Sequence, residues 1–170
     1  MFEGELLDET HDPEGFACGI AELDTWLRSW ALSSQRRGTA RTFVWHGASD
    51  RAVVAYFSLA PTVITRDSLP RKLGRGDRTS IPAILLARLA LDQSLQGQDL
   101  GAELLYRALE RAVAASEVVG GRYVVIDAIN EAAMAFYEHF GFQRAPSLAL
   151  QSLRLVRKVS DIAASMGQRP

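Results

Sequence analysis

Residues 83–112 constrain this chain more than any other stretch. They read as an apolar run, AILLARLAL, a polar stretch, DQSLQGQD, and an amphipathic run, LGAELLYRALERA. Residues 84–91 have the length and apolarity of a buried strand. Residues 93–99 are turn-like. From Leu100 a helix is predicted to about residue 117, with Leu100, Leu104, Leu105, Ala108 and Leu109 on one face and Gly120-Gly121 ending it. A turn feeding a helix N-terminus exposes unpaired backbone N–H groups. With the helix dipole these form an anion site of the kind that takes a pyrophosphate. Gly97, Gly101 and Ala102 are small enough to let a phosphate approach the backbone. No Gly-Lys-Ser/Thr follows, and the glycine spacing is not that of a dinucleotide fingerprint. An ordinary strand-to-helix connection is the alternative on these residues alone.

The remaining segments surround this unit. Leu23, Trp26, Leu27 and Trp30 recur at helical spacing, so a helix is predicted there with both tryptophans in the core; Arg36-Arg37-Gly38 breaks it. Residues 42–46 and 52–59 read as a hairpin turning at residues 47–50. Residues 66–80 hold Pro70, Gly74 and Gly76 and five basic side chains, and read as a loop. Residues 123–128 form a strand apolar throughout, as in a sheet covered on both faces. Residues 131–140 form a short helix closed by Gly141, where a cap of positive φ is wanted. Residues 148–159 give a last strand, and the tail from Ser160 is expected to be loose. The order α-β-β-loop-β-α-β-α-β predicts an α/β fold, a mixed sheet of about six strands with helices on both faces. At 170 residues the length suits one domain over 1–170, with its core at about 15–159.

Charge and composition narrow the function classes. Residues 1–24 carry eight acids and no Lys or Arg, so the rest of the chain is net positive although the whole is −1; 17 of the 19 basic residues are arginine. Arginine's planar fork suits phosphate, although a GC-rich genome would leave the same mark. No run approaches the ~18 apolar residues of a membrane span. The acidic start is not a secretory signal, and one cysteine, Cys18, makes no internal disulfide. A reducing cytoplasm is the expected setting. His11, His46 and His139 lie far apart without zinc-site spacing, so no metal is expected.

Gln96-Gly97-Gln98-Asp99-Leu100-Gly101 resembles the coenzyme A pyrophosphate loop of the GNAT acetyltransferases, Gln/Arg-x-x-Gly-x-Gly/Ala. Asp99 departs from the pattern, which usually has glycine there; its side chain is expected to cap the helix or point away from the pyrophosphate. Asn130, Tyr137 and Gly141-Phe142 match the family's Asn, its Tyr seven residues on, and its Gly-Phe. CGIAELDTWLRSWAL, ARTFVW, VVAYFSLAP, IPAILLARLALD and DAINEAAMAFYEHFGF follow in an order similar to the acetyltransferase toxins of bacterial toxin–antitoxin pairs. The likeness spans about residues 15–145.

That resemblance implies a GNAT fold with a splayed sheet, acetyl-CoA as co-substrate, and acetylation of the α-amine of aminoacyl-tRNA, which blocks translation. It implies that Leu89, Ala90, Leu91, Gln96, Gly97, Gln98, Asp99, Leu100, Gly101, Ala102 and Asn130 hold acetyl-CoA. Tyr137 would protonate the leaving thiolate as the catalytic acid. Arg36, Arg37, Arg41, Arg71, Lys72, Arg75, Arg78 and Arg88 would meet the tRNA, with Arg88, inside an apolar strand, facing a cleft. A ribbon–helix–helix antitoxin is the implied partner, and a homodimer is left open. Two alternatives stay open: an N-acetyltransferase for a small amine or protein N-terminus, and a non-catalytic module that binds acetyl-CoA or a partner.

Overall fold

The structure, a computed structural model, describes residues 2, 4–146 and 153–167. The elements are β1 (Glu5–Leu6), α1 (Ala21–Ser29), α2 (Ala31–Arg36), β2 (Arg41–His46), β3 (Val53–Thr65), β4 (Ser80–Leu91), α3 (Leu100–Val119), β5 (Tyr123–Asp127), α4 (Glu131–His139), β6 (Gln143–Arg144), β7 (Arg154–Lys158) and α5 (Val159–Met166). The strands form a seven-stranded sheet in the order β1-β2-β3-β4-β5-β7-β6. It is mixed: β4 and β5 are parallel, and the other registered pairs are antiparallel. The chain divides into two compact units, residues 1–60 with 87–109 and residues 61–86 with 110–170.

In the first unit, β2 and β3 pair in a register that sets Phe43 opposite Phe57 and Thr42 opposite Ser58. The phenyl rings stack at 5.1 Å. The two hydroxyls, fully buried, satisfy each other at 2.8 Å, as buried polar groups must. Gln35, at the end of α2, donates to the Leu7 carbonyl (2.7 Å) and accepts from the Thr42 amide (3.0 Å), tying helix to strand. Leu7, Phe16, Leu27, Val44, Tyr56 and Ala90 make the core. The expected helix is two helices. It breaks at Trp30 (φ −126°), so Trp30 leaves the apolar stripe and is 58% exposed rather than in the core; Trp26 is partly buried.

In the second unit, β5 is buried from Tyr123 to Ile126, as its unbroken apolar run requires, and packs with Ile64, Leu69, Ile81 and Val156. Gly141 closes α4 at φ +86°. Three features were not foreseen. The two-residue strands β1 and β6 are too short to show alternation. The expected strand over 148–159 is described as β7 from Arg154; residues 148–152 lie outside the described residues. The tail expected to be loose forms α5, anchored by the fully buried Ile162.

Candidate functional site

The connection after β4 is built to hold its shape. The Asp92 carboxylate accepts from the Ser94 and Ala17 amides (3.0 and 2.9 Å). Those bonds keep its pKa below the ordinary carboxylate value against the opposing effect of burial. The side-chain amide of Gln96 donates to the carbonyls of Leu91 and Cys18, both at 2.8 Å, and that of Gln98 to Ser94 (3.1 Å). The glutamines therefore brace the loop, and the groups left for an anion are backbone amides. Gly97 (φ +76°) and Asp99 (φ +58°) both take left-handed backbone, which swings the chain into α3. A Cβ at Gly97 would meet nothing within 4 Å, so the loop is open on that side. Leu100, Gly101 and Ala102 open α3, whose first-turn N–H groups have no intrahelical partner. This loop fits a pyrophosphate held by main-chain donors.

The backbone explains why glycine is usual at position 99: a residue with a Cβ pays roughly 1–2 kcal/mol for left-handed backbone, somewhat less for Asp. A φ of +58° is also not the extended conformation of a capping residue. Asp99→Gly should raise the melting temperature by a few degrees and tighten acetyl-CoA binding. Gly101→Glu, a carboxylate at the phosphate site, should abolish that binding. Calorimetry and a thermal melt check both; weaker binding by Asp99→Gly would assign Asp99 a positive role.

Pairing of β4 with β5 covers Ala83–Leu86 and stops there. The strand runs on through Leu89, Ala90 and Leu91. Arg88, on this last stretch, lies with its guanidinium carbon 4.0 Å from the centre of the Trp26 ring. It lines a cavity of about 350 Å³ with Ala21, Glu22, Thr25, Trp26 and Trp30. Burial pulls the Arg88 pKa down. Trp26 and Trp30, expected in the core, line this cavity with Arg88, and Glu22 joins them.

In the second unit, Tyr137 lies on α4, 7% exposed and edge-on to Phe142 at 6.2 Å. Burial pushes its phenol up to about 12, and its hydroxyl has no hydrogen-bond partner among the described residues. Asn130 caps α4, its side chain accepting from the Ala133 amide at 2.8 Å. The carboxylates of Asp127 and Glu131 are paired with Arg154 and Arg144.

The basic loop of this unit is pinned from beneath. The Tyr123 hydroxyl accepts from the Gly74 amide (3.1 Å) and donates to Asp77 (3.2 Å). Arg122, bonded to the same carboxylate, is the main cause holding Asp77 below the usual range. A Cβ at Gly74 (φ +76°) would be strained and would sit 2.9 Å from the Leu69 side chain, which would have to move. Arg71, Lys72, Arg75 and Arg78 are exposed and have no ion pair among the described residues. Arg71 and Arg75 line a shallow cavity of about 380 Å³ with Arg66. Tyr123→Phe should loosen this loop, seen as faster amide exchange at Gly74. In the first unit Arg37 and Arg41 are exposed, whereas Arg36 is bonded to Glu9.

The fold also gathers side chains the sequence keeps apart. Ligand atoms of Glu5, His11 and His46 lie within 4.8 Å of one another, and the two imidazoles are 5.2 Å apart. Arg51 reaches the same place, 3.1 Å from Glu5 and 2.9 Å from His11, so a positive charge already balances the carboxylate. Cys18 is buried, its thiol pushed up to about 11, mainly by burial.

A model of the acetyltransferase (GNAT) domain family matches residues 40–144. A tRNA-acetylating toxin of Mycobacterium tuberculosis is 34% identical over 161 residues, covering 95% of this chain and 94% of that protein. The solved structure of AtaT complexed with acetyl-methionyl-tRNAfMet is similar at a TM-score of 0.88 and 28% identity, covering 98% of this chain and 99% of AtaT. A mutant AtaT bound to the C-terminus of the antitoxin AtaR and acetyl-CoA is similar at a TM-score of 0.81 and 27% identity, covering 98% and 99%. No described helix is long and apolar enough to cross a membrane.

Proposed function

The chain belongs to the GNAT acetyltransferase family, and on that premise we propose that it is a toxin that acetylates the α-amine of aminoacyl-tRNA with acetyl-CoA and so blocks translation. The observation that carries this reading is likeness over nearly the whole chain to a tRNA-acetylating toxin. The unpaired basic loop supports it, because a small amine offers four exposed cations nothing to bind.

Acetyl-CoA supplies the acetyl thioester. Backbone amides from Gln98 to Ala102 take its pyrophosphate, and those of Leu89–Leu91 hold the pantetheine and polarise the carbonyl, an effect worth a few kcal/mol where donors are preorganised. Asn130 holds the start of α4. The neutral α-amine attacks the carbonyl carbon, the C–N bond forms, the C–S bond breaks, and the amine proton leaves to solvent. Tyr137 delivers its phenolic proton to the departing sulfur and regains one from water. A strong general base is unnecessary, since an α-amine with pKa near ~8 is partly neutral at pH 7.5 whereas a lysine near ~10.4 is not. Asp127 and Glu131, paired to arginines, do not compete for that proton.

The protein acts in the cytoplasm and is held in check by a ribbon–helix–helix antitoxin, and this reading is compatible with a homodimer. AtaT's complex with the C-terminus of AtaR supports an antitoxin partner. Mass spectrometry of tRNA-linked amino acids after incubation with acetyl-CoA tests the reaction. Acetylated aminoacyl-tRNA is expected. Equal acetylation of a free amine or a lysine peptide would leave a GNAT enzyme of another substrate, and no binding of acetyl-CoA would leave a non-catalytic module.

A further inference from the structure

Two aromatic rings and a guanidinium lie against one another in the first unit. The Trp26 indole lies on the Tyr56 ring, 5.9 Å between centres and 15° from parallel. The Arg88 guanidinium lies over the same indole, its carbon 4.0 Å from the ring centre. The Tyr56 phenol is anchored, donating to the Leu23 carbonyl at 2.8 Å. Arg88 faces open space, because it lines the 350 Å³ cavity together with Glu22 and Trp30.

Two features of this cavity call for a ligand. Arg88 is half-buried and makes no hydrogen bond or ion pair among the described residues, so its N–H donors are unspent. A neighbouring arginine, Arg28, shows the ordinary solution by donating to the Phe16 carbonyl at 2.9 Å. Trp30 is also an exposed indole, which the core does not require. A flat group with acceptors would complete both: it would lie on the guanidinium, as unpaired bases do in nucleic-acid complexes, with Trp30 at its side. The Glu22 carboxylate would accept from an exocyclic amine. Arg88 directly precedes the strand end Leu89–Leu91, so a group seated here stands beside the acetyl donor's backbone site.

We propose that this cavity docks the terminal adenosine of the acceptor strand, its base stacked on Arg88 and flanked by Trp30. The proposal rests on the aminoacyl-tRNA reading and names the part of the tRNA the cavity takes. An amino-acid side chain is the competing occupant.

The test compares three acceptors carrying one amino acid: aminoacyl-tRNA, the aminoacyl ester of adenosine, and the methyl ester. Base stacking of about 1–3 kcal/mol should make kcat/KM for the adenosine ester about 5- to 150-fold higher than for the methyl ester. Trp30→Ala and Arg88→Met should each pull that ratio toward one. Trp30 is exposed, so its truncation leaves the core intact. The adenosine ester should also quench tryptophan fluorescence, and less so in Trp30→Ala. Equal rates on the two esters, with aminoacyl-tRNA still acetylated, would overturn the proposal while sparing the tRNA reading. So would a preference that survives both substitutions, or variants that change discrimination among amino acids but not the ester ratio; the last outcome gives the cavity to the side chain. Failure to acetylate any tRNA would remove the reading itself and the proposal with it.

Discussion

Tyr137→Phe is expected to lower acetyl transfer by about 10²–10⁴-fold, the range of general acid catalysis, while acetyl-CoA affinity holds. The Tyr137 hydroxyl has no hydrogen-bond partner among the described residues, so the substitution costs no bond and little volume. Single-turnover kinetics and calorimetry separate the two effects; near-parental turnover would return Tyr137 to a packing role against Phe142. The pKa adds a second signature. Burial raises the phenol from its ordinary 10.0 to about 12, so proton donation should persist to about pH 12, beyond where a solvated tyrosine would lose it. The same shift has a sign for stability. Between pH 10 and 12 the unfolded chain loses this proton and the folded chain keeps it, so stability falls as pH rises through that window. Tyr137→Phe should remove that part of the alkaline loss. An unchanged alkaline melting curve would mean that the phenol titrates as if in water.

Much of the site was legible because it is local. Strand, loop and helix from Ala83 to Ala112 follow from hydrophobic period and turn residues, and the loop pattern lies in six consecutive positions. What local pattern could not tell is which atoms of the loop do the work. Gln96 sits at a position that reads as a ligand, yet its side chain is spent on the carbonyls of Leu91 and Cys18. Asn130 likewise is committed to the Ala133 amide. Gatherings of residues distant in sequence were illegible for a different reason. Glu5, His11 and His46 meet only because β1 pairs with β2 in one register. Trp30 was misplaced because a periodicity argument assumes one continuous helix, and the chain starts a new one at Ala31. The tail was misjudged because one buried residue, Ile162, is too weak a pattern to announce α5.

Neutralising Arg71, Lys72, Arg75 and Arg78 together should have the other large effect, on tRNA affinity. Each phosphate contact contributes about 0.9 to the slope of log K against log salt on double-stranded DNA and about 0.7 on single strands. If all four side chains meet phosphate, the quadruple variant should lose roughly three to four units of slope, and its loss of affinity relative to the parent should be far larger at low salt than at high salt. The physical basis is a rigid mount. Tyr123 and Arg122 grip the loop through Gly74 and Asp77, and no carboxylate among the described residues pairs with the four cations. Their charge is therefore available to a polyanion without breaking an internal bond, unlike that of Arg36, which must first leave Glu9. Filter binding across a salt series measures the slope. Acetyl-CoA binding by the variant separates this loss from misfolding, since the pyrophosphate site proposed above is the loop after Leu91. A parallel drop in affinity at every salt, with the slope unmoved, would mean that these side chains support the fold of the loop instead of touching phosphate, and would shift the electrostatic footprint to Arg37 and Arg41.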